Sequence, residues 1–174
     1  MYVDDQLDCG VCRLRPFHAQ DAPALARHAD NPRVARYLRD RFPHPYAVED
    51  ARRFFDYATH TDGECVACIE VEDQAAGAIG IIFRTDIERC SAELGYWLGE
   101  PFWGRGVVTA AMQTFAGWAM PRFSLTRIYA EVFAENRPSA RVLEKSGFER
   151  VGVLRKAAIK NKVHHDYILY DLVR

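Results

Sequence analysis

Three features of this 174-residue sequence are of a type and spacing that could carry a transfer reaction. The first is Glu93, in a run where Ala92, Leu94, Tyr96 and Leu98 alternate with Glu93, Gly95 and Trp97, the period-two pattern of a strand. A carboxylate there can act as a general base or as a salt-bridged strand residue. The second is Trp103-Gly104-Arg105-Gly106-Val107-Val108, where two residues without side chains lie just before an amphipathic run. Backbone N–H groups of Gly104 to Val108 can approach a bulky anion such as a diphosphate, with Arg105 adding charge and Thr109 a hydroxyl. The same spacing also suits a purely structural tight turn, and Trp103 reads as a packing residue. The third is Asn136, placed to cap a helix, with Ser139 one turn further on.

Other chemistry-bearing residues carry weaker readings. Cys9-Gly10-Val11-Cys12 and Cys65-Val66-Ala67-Cys68 are both Cys-x-x-Cys pairs, which can make a zinc site. The pairs are far apart in the chain, and residues three apart on a strand point to opposite faces, so Cys65 and Cys68 do not converge. Ordinary reduced cysteines and no metal are therefore expected. Adjacent strand residues also diverge, so His164 and His165 read as solvated histidines. A dinucleotide reading would take Gly104-x-Gly106 as its phosphate turn and Glu131 as the ribose partner. It fails because Thr109 replaces the third glycine and the turn does not follow its strand directly.

The elements that position these residues follow from periodicity and punctuation. Val11 to Phe17 reads as a first strand. Asp21-Ala22-Pro23 starts a helix, Val34, Tyr37 and Leu38 fit a second short one, and Val48 to Thr59 a third. Glu64 to Val71 and Ala78 to Phe83 form a hairpin joined by residues 72–77. After the Glu93 strand, Val108, Ala111, Met112, Phe115, Trp118 and Ala119 recur at helical spacing over 107–120 until Pro121. Arg127 to Phe133 is the next strand, and the strand, helix, strand order implies a parallel crossover. A helix from Asn136 ends at Gly147. Phe148 to Leu154 and Tyr167 to Val173 complete the sheet, with a turn near Lys160-Asn161-Lys162. The predicted class is α+β: a mixed, mostly antiparallel sheet with one parallel crossover and helices on both faces.

Length predicts a single domain over residues 1–174, burying about two-thirds of its unfolded surface, with residues 1–10 as a flexible extension. With 23 Lys plus Arg against 24 Asp plus Glu, no global field recruits nucleic acid or an anionic membrane. Met1 to Asp8 has no cationic or apolar run, so a soluble cytoplasmic protein is expected.

The order Glu93-Leu94-Gly95-Tyr96-Trp97-Leu98, Trp103-Gly104-Arg105-Gly106, Asn136-Arg137-Pro138-Ser139 and Leu143-Glu144-Lys145-Ser146-Gly147-Phe148 resembles the GNAT N-acetyltransferases. Within them it is most similar to the RimJ/RimL-like branch, which acetylates ribosomal-protein N-termini. The resemblance runs from about Arg13 to the C-terminus. It implies the GNAT fold, acetyl-CoA as co-substrate, and direct transfer to a primary amine, either a protein α-amine or a small molecule. The pantetheine arm would lie along the backbone of Tyr96, Trp97 and Leu98, with Asn136 bonding both that arm and its own helix. Glu93 stands where the superfamily often places a base. Ser139 matches a serine near the coenzyme sulfur that can protonate the departing thiolate. The early helices would cover the acceptor side, where Arg36, Tyr37 and Glu49 could meet the amine, and a homodimer is compatible with this branch. Asp166 and Tyr170 match the ending of the branch and are expected to be structural.

Two positions depart from the superfamily pattern. Val108 ends the loop in place of Gly or Ala. Leu143 stands where many members carry a tyrosine taken to be the general acid, which leaves that role to Ser139, Tyr96, Tyr129 or solvent. Leu143 also motivates a second reading, a non-catalytic acyl-CoA-sensing module of the same fold.

Overall fold

A computed structural model describes residues 6–60 and 63–174. Its eight strands are β1 (Leu7–Asp8), β2 (Arg13–Arg15), β3 (Glu64–Val71), β4 (Gln74–Phe83), β5 (Ser91–Leu98), β6 (Arg127–Phe133), β7 (Glu149–Lys160) and β8 (Val163–Val173). The helices are α1 (Ala22–Ala29), α2 (Pro32–Ala35), α3 (Val48–His60), α4 (Val107–Arg122) and α5 (Arg137–Lys145). One sheet forms in the order β1-β2-β3-β4-β5-β6-β8-β7. Every pairing is antiparallel except β5 with β6, which α4 connects. The α+β class and the parallel crossover are as the sequence predicts.

Alternation along β5 divides the molecule. Ala92, Leu94 and Leu98 join the main core with Val107, Ala111, Met112 and Phe115 of α4 and Leu143 of α5. On the opposite face, Leu25, Ala51 and Phe55 of α1 and α3 pack against Cys68 and Ala75, with Trp97 beside them. Cys65 belongs to the α4 face and Cys68 to the other, so the two thiols diverge as strand geometry requires.

Several boundaries differ from expectation, each for a local reason. Residues 7–10 are not a free extension, because Leu7 pairs with Leu14 and Asp8 with Arg13; residues 1–5 of that expected extension lie outside the described residues. The first long strand shrinks to Arg13–Arg15 because a tight turn at Gly10, φ 76°, precedes it. The β3–β4 connection is only Glu72-Asp73, at φ 51° and 57°, the left-handed pair of a two-residue hairpin turn. Gln74 to Gly77 therefore extend β4, where the sequence reading placed a loop. α4 passes through Pro121 to Arg122, since the N–H that proline lacks removes one bond from a last turn that Phe123 N–H closes onto Ala119. α2 stops at Ala35, short of Tyr37 and Leu38, and is capped by Asn31 Oδ1, which accepts from Arg33 N–H.

Candidate active site

β5 and β6 share register only over Ser91 to Glu93 and Arg127 to Tyr129. Beyond that point each keeps its outer partner and loses the other. β5 stays on β4 as far as Leu98 against Gly77, and β6 stays on β8 as far as Phe133 against Tyr167. The sheet therefore opens into a cleft of about 760 Å³. Its walls are the separated ends of β5 and β6, the first turns of α4 and α5, and the segment after α2. The edge of β5 facing the gap has no strand partner after Glu93 among the described residues.

The glycine-bearing turn forms one end of this cleft. Gly104 and Gly106 hold φ of 75° and 78°, which side-chain-bearing residues rarely adopt, and an added Cβ would meet nothing within 4 Å at either. Gly106 caps α4 without any side-chain acceptor, so the N–H groups of Val107, Val108 and Thr109 have no capping partner, while Ala110 N–H bonds Gly106 O at 3.0 Å. Uncapped amides and the helix dipole together favour an anion at that point. Trp103 ties the loop to β5 by donating its indole N–H to Leu98 O at 2.7 Å, which uses a carbonyl that the sequence reading left for a ligand. The Leu98 and Val107 side chains are buried in the core, so only their backbone is available. Arg105 does not line the cleft; its guanidinium pairs with Glu72 at 2.5 Å, both side chains about half exposed.

At the head of α5, Asn136 acts as the cap, accepting from Ser139 N–H at 3.4 Å. Ser139 Oγ lies 2.5 Å from the Tyr96 hydroxyl, a contact that spacing alone does not reveal. Burial pushes the Tyr96 hydroxyl up to about 12, so it is neutral and competent as a donor across the ordinary pH range. Leu143 is fully buried in the α4-side core and does not line the cleft.

Glu93 reaches the same cleft from the opposite face of β5. Its carboxylate is only 15% exposed and is ion-paired with Arg39, from the segment after α2. Trp97, on the same face, stacks edge-on against Phe42 with ring centroids 5.4 Å apart and supports the cleft wall. Two participants were not read as members of this site from the sequence: Arg39, and Glu131 of β6, taken only as a ribose partner in a rejected dinucleotide scheme. Glu131 lines the cleft and titrates above the ordinary carboxylate range, through partial burial and then the nearby Glu93. The available signal was alternation in β6, where Ile128, Ala130 and Val132 enter the core and Glu131 must face away.

The remaining candidates fall elsewhere. The Tyr129 hydroxyl is buried without a hydrogen-bond partner, outside the cleft lining, with Arg127 and Arg84 over its ring at 4.8 and 5.5 Å. Arg36 and Tyr37 line the cleft; Glu49 does not, and pairs with Arg52 at 3.2 Å. His165 meets Glu135 at 3.2 Å while His164 is exposed. Asp166 accepts from Lys156 N–H at 2.7 Å and Tyr170 donates to Glu144 at 3.0 Å, both structural contacts. Among the described residues, no three His, Cys, Asp or Glu side chains group as metal ligands. No helix among them is long and apolar enough to cross a membrane.

A model of the acetyltransferase (GNAT) domain matches residues 12–149. The chain belongs to the GNAT acetyltransferase family. It is 30% identical over 148 residues to the uncharacterized N-acetyltransferase p20 of Bacillus licheniformis, covering 82% of this chain and 81% of that one. It is 32% identical over 94 residues to the ribosomal-protein-serine acetyltransferase of Escherichia coli (strain K12), covering 53% and 52%. The structure of Mycobacterium smegmatis RimJ in complex with CoA-disulfide superposes with a TM-score of 0.84 at 27% identity, covering 97% of this chain and 87% of that one. The open strand pair and the uncapped helix start described above are thus features of a GNAT enzyme.

Proposed function

We propose that this GNAT chain moves an acetyl group from acetyl-CoA directly to a primary amine, without an acyl-enzyme intermediate. The observation that carries this reading is the opening between β5 and β6, which joins an anion-attracting helix start, a half-buried hydroxyl pair and a strand carboxylate in one cleft. When bound, acetyl-CoA supplies the thioester carbonyl that an amine attacks.

Each chemical requirement finds a group. The amides of Gly104 to Thr109 are free to take a diphosphate, and the unpaired edge of β5 beyond Glu93 is free to bond an extended arm and an oxyanion. Glu93 draws the acceptor ammonium in and removes its proton, directly or through water, with Glu131 adding negative charge beside it. Ser139, backed by the neutral Tyr96 hydroxyl, supplies the proton for the departing thiolate. Base and acid stand on opposite faces of one strand, so neither neutralises the other before substrates arrive.

The acceptor we favour is a protein N-terminal α-amine, in keeping with the similarity to the Escherichia coli ribosomal-protein-serine acetyltransferase. We further propose a cytoplasmic location and, by family analogy, a second copy of the chain as a partner. Radiolabel transfer from acetyl-CoA to a panel of peptides and polyamines tests the reading; label on peptide N-termini supports it.

The alternative, an acyl-CoA sensor, rests on Leu143, which sits in the core and offers no hydroxyl. The Tyr96 and Ser139 pair fills that role and favours catalysis. Tight coenzyme binding with no transfer to any acceptor would reverse the order.

A further inference from the structure

The turn joining β1 and β2 carries two thiols that acetyl transfer does not use. Register pairs Leu7 with Leu14 and Asp8 with Arg13, so Cys9 and Cys12 are the next opposed residues. Cys9 N–H donates to Cys12 O at 2.9 Å, Val11 N–H donates to Cys9 O at 3.0 Å, and Gly10 takes the left-handed position at φ 76°. Opposed residues in an antiparallel ladder have Cα atoms about 4.5–5.5 Å apart, inside the roughly 4.4–6.8 Å that a disulfide spans. Opposed side chains also leave on the same face. Here that face is the α4 side: Cys12 is part of the main core and Cys9 packs against it.

The geometry points to Cys9 and Cys12 as a redox-active dithiol that closes to a disulfide within the turn on meeting a low-molecular-weight disulfide.

Access and reactivity both suit this step. A surface groove of about 470 Å³, lined by Asp8, Gly10, Val11 and Cys12, leaves one side of the turn open, although Cys9 itself does not line it. Cys9 is half-buried, whereas Cys65 and Cys68 are fully buried in the sheet. The neighbouring Cys12 thiol holds the Cys9 thiol below the ordinary range, and the same proximity raises Cys12. Cys9 is therefore the first nucleophile. Its thiolate bonds one sulfur of the small disulfide and expels the other as a thiolate. Cys12 then gives its proton to solvent, attacks the Cys9 sulfur and expels the second small thiol as a thiolate. Two protein thiols are oxidised and one small disulfide is reduced to two thiols. Closure also removes the Cys12 S–H that donates to Val107 O at 3.8 Å, at the first residue of α4.

The test exposes the folded full chain, carrying Cys90→Ser, to oxidised glutathione. Acid quenching, alkylation with N-ethylmaleimide, intact mass and peptide mapping follow, with Cys12→Ser treated in parallel. The expected result is a Cys9–Cys12 cross-link with little retained glutathione, and a stable glutathione adduct on Cys9 in Cys12→Ser. Two results overturn the inference: a glutathione adduct persisting on Cys9 when Cys12 is present, or both thiols remaining fully alkylatable. Should Cys12→Ser fail to fold, the map of the chain that retains Cys12 decides alone. Coenzyme and acceptor are absent from this assay, so its outcome is separate from that of acetyl transfer.

Discussion

The Tyr96 hydroxyl and Ser139 Oγ meet at 2.5 Å across the junction between β5 and the head of α5. They are 43 residues apart in the chain, and the contact exists only because β6 stops pairing with β5 and carries α5 back over it. Tyr96→Phe and Ser139→Ala should each lower kcat by roughly 10- to 100-fold with little change in KM for acetyl-CoA. The double variant should lose far less than the product of the two, since they act as a unit. Steady-state kinetics of the four proteins checks this.

Because the Tyr96 hydroxyl is pushed up to about 12, it keeps its proton through the alkaline range. The rate should therefore rise as the amine deprotonates and hold a plateau to about pH 10, with no alkaline fall from this pair. A pH profile of kcat that falls already near pH 8 in wild type but not in Tyr96→Phe would contradict it.

Glu93→Gln should reduce kcat/KM by about 10²-fold or more. Glu131→Gln should cost less activity and should change stability with a definite sign. The folded chain raises the pKa of Glu131, so this residue favours folding less as pH climbs through the raised value. Removing its charge should therefore raise the melting temperature at pH 8 more than at pH 4. Thermal denaturation of wild type and variant at the two pH values checks that difference.

Gly106→Ala meets no steric obstacle but must hold φ near 78°. The expected cost is about 1 kcal/mol, a drop of roughly 2–4 °C in melting temperature, with weaker coenzyme binding by calorimetry. Gly77→Ala should be much worse, because its Cβ would lie 2.2 Å from the Trp97 carbonyl oxygen and the β4–β5 ladder would have to part. More than about 3 kcal/mol should be lost in chemical denaturation.

What could be read from the sequence was the part encoded locally. The β5 strand, the Gly104-x-Gly106 turn and the start of α4 follow from alternation, glycine placement and helical spacing, and Arg127–Phe133 was found to the residue. The β3–β4 turn was overestimated because Ala75, Ala76 and Gly77 lack the bulky alternation of a strand; Gly77 has no side chain because β5 backbone crowds against it. The Tyr96 and Ser139 contact, the Arg39 and Glu93 ion pair and the approach of Glu131 to Glu93 join different elements, so no local pattern announces them. Arg105 shows the reverse: a cation well placed in the motif turns to Glu72 because a hairpin tip lies beside it.

Since the cleft lies between the parted ends of β5 and β6, with Glu93 on one face and Ser139 towards the other, the proposed transfer would let donor and acceptor arrive by separate doors. Neither has to depart before the other can enter, so initial-rate plots should intersect and not run parallel. A single molecule made by stitching the coenzyme's sulfur to the amine would have to be threaded through the slot, and should associate slowly and leave more slowly still.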